Sequence, residues 1–274
     1  KVGYLGTILR QHGLKTALIG NENLEIDEIR TNAGLIVMDE KGIIDYGKVN
    51  ESVLSQDPLS PYGIKTDYDA LYDYYLDLRD KANLIVIQSG DSFRLNKYMK
   101  NLSDDMYLAA KDRLFGEADK FIGNVLEDID ENTLFVLVVP FPSHPNSSEG
   151  KKLTPIIAHS KSISRGIITS GTTKRDGIIT NTDIAPEILN FLGVSPQSPM
   201  TGHHFQYKSH QNPLEFLSEL EEMTVYNYKA RPSIIKIFIV LILLVLITSL
   251  GLMIYGKKSL PLFKPFITAI MLVP

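Results

Sequence analysis

Residues 237–256 form a run of twenty positions without a charged side chain, built almost entirely from Ile, Leu, Val, Phe and Met, and this run constrains the chain more than any other feature. A helix of that length rises by about 30 Å, which matches the hydrocarbon thickness of a bilayer. A backbone surrounded by lipid must satisfy its own hydrogen bonds, and a helix does so. The core helix of a globular protein seldom continues this far without a charge, so the sequence predicts a transmembrane helix over 234–256. Lys229, Arg231 and Lys236 precede the apolar run, and Lys257, Lys258 and Lys264 follow it. The flanks carry equal charge and give no orientation by the positive-inside rule. Pro261 and Pro265 then interrupt the chain before a second apolar stretch that opens at Phe266. The expectation is a short loop over 257–265 and the start of a second transmembrane helix over 266–274. An apolar start directly after Lys1 and an apolar end at Pro274 suggest a piece of a longer protein.

Charge divides the chain at the approach to this span. Residues 229–274 hold six Lys or Arg and no acid, whereas residues 1–228 hold 22 basic against 32 acidic side chains and stand at −10. An acidic domain lacks the basic footprint that replaces phosphate counterions, so nucleic acid is not an expected partner. The expected partner is the membrane. The absence of cysteine excludes disulfides, thiolate metal ligands and a cysteine nucleophile, and is compatible with an extracytoplasmic location.

Residues 1–208 read as one α/β domain, and 209–233 as a linker to the span. A short helical pattern closed by Gly13 leads into the apolar run 16–20. A second apolar run over 33–38 ends in the turn signal Asp39-Glu-Lys-Gly42. A periodic helix over 67–81 feeds the apolar segment 83–88, and a long amphipathic helix over 104–129 feeds 133–139. Further strand-like runs at 153–158 and 166–169 precede a helix over 183–191, stopped by Gly193. Continuously apolar strands separated by helices are those of a mainly parallel sheet covered on both faces. The predicted fold class is therefore a three-layer α/β/α sandwich with a mainly parallel sheet, followed by transmembrane helices. Ligands of such sheets sit beyond the carboxyl ends of the strands, which directs attention to Asn21, Asp39, Ser89 to Asp91, residues 141–144 and residues 180–183.

Three segments resemble the alkaline phosphatase superfamily of phosphatases, phosphomutases and sulfatases. The first is the phrase from Gly177 to Val194 (GIITNTDIAPEILNFLGV), followed by Met-Thr-Gly-His-His-Phe at 200–205, similar to the Thr-Asp-x-x-Pro-Thr-x-Leu-x-x-x-Gly that opens the superfamily's last helix. The second is the Leu-x-x-x-Gly pattern over 5–20. The third is 84–94, where Gly90-Asp91 ends a strand as a metal-binding aspartate does in those proteins. The resemblance covers residues 1–208. It implies two divalent cations, zinc or manganese, held by Asp and His side chains beside a Ser or Thr nucleophile, where they polarise the transferred group and neutralise the leaving oxygen. That nucleophile would belong upstream of Lys1, so the catalytic residue is unknown.

Several departures stand against the superfamily's pattern. Where its Asp-His-Gly would follow the strand ending at Val139, this chain has Pro140-Phe-Pro-Ser-His-Pro145, and where a His would follow Asp91 it has Leu95. Asp91, His144 and His159 remain as candidate metal ligands. His203 and His204 are adjacent and in extended chain point to opposite sides, so they do not readily share an ion. Arg94, Thr172, Lys174 and Arg175 are candidates for holding an anionic small molecule, the last three within the hydroxyl- and glycine-rich loop 169–177; the alternatives are that Arg94 simply pairs with Asp91 and that the loop is a solvated turn. Thr182 or Asp183 reads as a cap for the helix that Pro186 helps to start.

The leading expectation is a cell-membrane-anchored, extracytoplasmic domain of alkaline-phosphatase-like fold with a degenerate metal site and a binding, regulatory or structural role. One alternative is a metal-dependent phosphoryl or sulfuryl transferase or hydrolase with a rearranged site. Another is a multi-pass transport or assembly protein in which the soluble domain is ancillary.

Overall fold

The computed structural model describes residues 2–195 and 200–255. The chain divides into two units, one made of residues 1–143 with 154–213 and the other of residues 144–153 with 214–274. The first is a mixed α/β domain. Helix α1 (Tyr4–Gln11) buries Leu5, Ile8 and Leu9 on one face, as the spacing predicts. Strand β1 (Thr16–Gly20) is buried along its whole length. The short helix α2 (Gly34–Val37) and strand β2 (Tyr46–Lys48) precede the antiparallel ladder of β3 (Leu54–Gln56) with β4 (Ile64–Thr66). Helix α3 (Tyr68–Leu78) starts at Asp67, whose side chain accepts from the Ala70 amide. It leads into β5 (Leu84–Gln88).

Strands β2, β1 and β5 make a parallel sheet in that order, with Leu18 opposite Gly47 on one side and Val86 on the other. Its core gathers Ala17 and Ile19 of β1, Val53, Ile64, and Leu71, Tyr75 and Leu78 of α3. Val125 joins them from the long helix that follows the shorter α4 (Asp91–Tyr98). Helix α5 (Asp104–Glu127) is capped by the Ser103 side chain. A second cluster packs α1 residues Leu5, Ile8 and Leu9 against Leu189 and Val194.

The rest of this unit departs from one large parallel sheet. Strand β6 (Phe135–Val138) is followed in the chain by the short helix α6 (His144–Ser148), which belongs to the second unit. It pairs antiparallel with β7 (Ile156–His159). Strand β8 (Gly166–Ser170), helix α7 (Ile184–Phe191) and strand β9 (Phe205–Ser209) complete the domain, β8 and β9 forming another antiparallel ladder. The parallel sheet is thus three strands wide among the described residues, smaller than the apolar runs suggest. An apolar run specifies burial, and antiparallel pairing buries it as well as parallel pairing does.

The run 33–38 is likewise helical over α2 rather than extended. Its amides bond backward, Ile36 to Ala33 and Met38 to Gly34, while Val37 is fully buried and Leu35 and Ile36 face outward. Four residues cannot distinguish the helical period from the alternating one.

The second unit contains α6 and α8 (Pro213–Tyr255). Helix α8 is long and apolar enough to cross a membrane. It also runs back through the stretch read as a linker: Pro213 suits a first helical turn, and the Glu- and Leu-rich residues after it are good helix formers. The expected loop 257–265 and second span 266–274, with the last residue of the first span, Gly256, lie outside the described residues.

Candidate functional site

Strands β1 and β5 are parallel neighbours, and both carboxyl ends open onto one polar cluster. Asn21, Glu22 and Asn23 follow β1 directly and are all buried. Asn21 donates through Nδ2 to the carbonyls of Val49 and Asn50 and accepts the Asn23 amide on Oδ1. Asn23 accepts the Arg30 amide at 2.8 Å and donates to the Glu28 carbonyl. Gly90, after β5, allows the two strand ends to meet: a Cβ there would lie 2.3 Å from the Asn21 carbonyl oxygen and 2.6 Å from Arg94 Nη1.

Arg94, on the first turns of α4, is completely buried. Its Nη1 donates to the Asn23 carbonyl at 3.0 Å, and its Nη2 donates to Thr66 Oγ1 and Asp91 Oδ1, each at 2.8 Å. The same Asp91 oxygen accepts the Thr66 amide at 2.9 Å. Asp91 Oδ2 and Arg94 Nε are buried without a hydrogen-bond partner among the described residues. Glu22 accepts from Asn32 and Gln88. Burial raises its pKa, with Arg30 and the two amides opposing. Tyr68, whose hydroxyl meets Ser89 at 2.7 Å, is also pushed up, first by burial and then by the nearby Asp91 charge.

A second cluster surrounds Asp183, also fully buried. Oδ2 accepts the Ser170 hydroxyl and the Thr180 amide, both at 2.8 Å. Oδ1 accepts the Thr172 hydroxyl at 2.5 Å and the His203 amide at 2.9 Å. Because Thr172 gives its single proton to Asp183, the network assigns His203 Nδ1 as the donor in its 3.0 Å contact with Thr172 Oγ1. Burial alone would raise the Asp183 pKa, yet these four donors together hold it at about 2. Asp183 stands at the N-cap position of α7, as expected, but makes no side-chain cap bond there; its bonds fall one turn earlier, in the 3-10 turn Asn181–Asp183, where the Thr180 side chain accepts the Asp183 amide and Asp183 reaches back to the Thr180 amide as a capping box.

The sequence-selected residues therefore fall into separate hydrogen-bonded groups. Arg94 and Asp91 belong to the β1–β5 cluster and bond to each other. Thr172 belongs to the Asp183 cluster, while Lys174 and Arg175 are exposed on the turn beyond it, Lys174 with φ of 54°. His159 ends β7 on an exposed position opposite Phe135. His144 opens α6, and its side chain lies outside what is described. Asp39 follows a helix rather than a strand. It accepts the Lys41 and Ile43 amides and pairs with Arg10 at 3.2 Å.

The nearest charge to Asp91 is the guanidinium of Arg94, and no group of three or more His, Asp or Glu side chains among the described residues is arranged to hold a metal. Sequence reasoning missed Glu22, Asn23 and Thr66, while Ser170 and Thr180 fell within the segments it selected, 169–177 and 180–183, without being singled out. Only the Asn-Glu-Asn triplet directly after an apolar run offered a signal, since a strand end is where α/β ligands gather. No protein-family model matches the chain, and no curated protein or solved structure shows a significant similarity to it.

Proposed function

We propose that the chain is a membrane-anchored domain, alkaline-phosphatase-like in descent, that acts by binding, regulating or supporting a partner rather than by transferring phosphoryl or sulfuryl groups. The observation that carries this reading is the use of its carboxylates. Asp183, which falls in the motif most similar to the superfamily, directs both oxygens at four protein donors. Asp91 faces a buried arginine. A carboxylate so engaged serves folding, and a pair of divalent cations needs several free anionic or imidazole ligands.

Metal analysis of the full-length protein, purified without chelator, is expected to find less than one ion per chain and no chelator-sensitive hydrolysis of a generic phosphate ester. Stoichiometric metal, with turnover lost on chelation and restored by zinc or manganese, would establish the enzymatic alternative. The unpartnered Asp91 Oδ2 is the one observation that favours that alternative.

The anchor is the apolar part of α8, and we place the domain on the outer side of the cell membrane. Residues 1–274 contain no cysteine, so an Asp73→Cys variant, at an exposed position of α3, carries a single thiol within them. The protein is expected to stay in the membrane pellet at alkaline pH, and the thiol to react with an impermeant maleimide in intact cells. Labelling only after lysis would place the domain inside.

A further inference from the structure

In the second unit, the segment 144–153 is seated on α8 at Tyr228. Gly150 adopts φ of +89°, and a Cβ on it would lie 2.4 Å from Tyr228 Cδ1, so its backbone packs directly against the ring. The turn is closed by the Gly150 amide to the Ser147 carbonyl and the Lys151 amide to the Asn146 carbonyl. Lys152 then places its Nζ 4.4 Å from the Tyr228 ring centroid, a cation–π contact. Lys151 is balanced by Glu149 at 3.6 Å. Arg231 lies three residues beyond Tyr228, hence on the same helix face. Lys229, one residue on, is turned about 100° from Tyr228 around the helix, and Lys152, Lys229 and Arg231 are all exposed.

The position of this group along α8 identifies what it meets. Before it, the helix carries Glu215, Glu219, Glu221 and Glu222 without a base; from Lys229 to Lys236 it carries three bases without an acid. Apolar residues take over from Ile234, so Tyr228 to Arg231 stand within roughly 10 Å of the start of the span. That is the depth of the headgroup layer, where tyrosines and basic residues collect. Pro232 agrees with this placement. It cannot donate to the Tyr228 carbonyl one turn back, and that carbonyl is tolerable where water or headgroups reach it but costly in hydrocarbon.

We propose that Lys152 and Arg231, on the Tyr228 face of α8, form a headgroup-level clamp for an anionic phospholipid, to which Lys229 adds its charge from the flank of the same helical turn. The loop would thereby sit at the membrane surface, its lysine adding to the two charges on the helix. This inference rests on the reading of α8 as a membrane anchor.

The test uses the full-length chain reconstituted in vesicles of equal phosphatidylcholine and phosphatidylglycerol, released with its tightly held lipid and weighed by native mass spectrometry. Retention is expected to favour phosphatidylglycerol, falling by roughly fivefold for each basic residue of the clamp replaced by glutamine. Gly150→Val, which keeps every charge but pushes the loop off Tyr228, is expected to lower the preference as far as Lys152→Gln does. Exchanging the exposed Lys100, Lys120 and Lys161 of the other unit for glutamine is expected to leave it unchanged. Equal retention of the two lipids by the wild-type chain in its membrane-inserted form would overturn the clamp, as would an unaltered preference in Gly150→Val. Abolition of retention by millimolar inorganic phosphate would assign the charges to a small soluble anion instead. A wild-type dimer that the glutamine variants dissolve, without lipid preference, would assign them to a second copy of the chain. A chain extracted at alkaline pH would instead refute the anchor itself.

Discussion

Asp183→Ala is expected to lower the stability of the domain by roughly 3–5 kcal/mol, because it strands several buried donors at once. That is a large share of the total for a domain whose folding free energy is of order 5–15 kcal/mol. The conservative change is the more informative. Each Asp183 oxygen accepts one hydroxyl and one backbone amide, Ser170 with Thr180 on Oδ2 and Thr172 with His203 on Oδ1. A hydroxyl can turn and become an acceptor, whereas a backbone N–H cannot. Whichever way an asparagine amide is turned, its NH2 meets an N–H, so Asp183→Asn is also expected to destabilise, by roughly 2–3 kcal/mol. Urea unfolding of the full chain in mild detergent, followed by near-ultraviolet dichroism, measures both variants. A metal-ligand role would reverse the pattern, with little change in stability and loss of metal.

The same carboxylate predicts an acid transition. Its folded pKa of about 2 lies below the ordinary aspartate value of about 3.9. The stabilisation is therefore complete above about pH 4 and lost as pH falls toward 2, amounting to roughly 2–3 kcal/mol. Asp57 acts in the same window. Burial alone would raise its pKa, but the Arg113 guanidinium, Ser60 and the Leu59 amide hold it at about 2. Titrating stability between pH 5 and pH 2 should show a decline in the wild type that is shallower by about one proton in Asp183→Asn.

Much of the secondary structure could be read from the sequence, because each correctly placed helix combined a periodic apolar face with a local stop or start. Gly13 closes α1, Asp67 caps α3, Ser103 caps α5 and Gly193 ends α7. Pairing was less accessible. Nothing in Phe135-Val-Leu-Val states that its partner is the antiparallel β7 rather than a parallel neighbour, since partner choice depends on where the chain returns. Strands β2 and β9 escaped notice for a related reason: the exposed Tyr46-Gly-Lys and the mixed Phe205 to Ser209 carry weak apolar patterns, and their ladders to β1 and β8 define them.

The clusters were legible one residue at a time. Arg94 and Asp91 were visible as charges at a strand end, but their burial against each other follows from the approach of Asn23 and Thr66, 71 and 28 residues away from Arg94 in the chain. Asp183 was visible as a candidate cap. Its remaining donors arrive from β8 and from the chain before β9, so its role as a hub is a property of tertiary structure.

Arg94→Met is the second large effect expected, at roughly 3–5 kcal/mol of lost stability. Methionine occupies much of the same space, so the loss is mainly electrostatic: it leaves the Asp91 carboxylate buried without its counter-charge, while Asp91 Oδ2 already has no partner. Asp91→Asn alone is expected to be costly for the mirror reason, an unpaired guanidinium at a site with no exposure. The double variant removes both charges and keeps an amide oxygen for the Thr66 amide. It should therefore be more stable than the sum of the single losses predicts, by roughly 2–3 kcal/mol. This coupling separates the two uses a buried arginine can have. If Arg94 exists to hold Asp91 and the strand ends together, the coupling is large and the double variant recovers. If it were held ready for an anion, as its place beyond β1 and β5 first suggests, Arg94→Met would change stability little and the coupling would fall near zero.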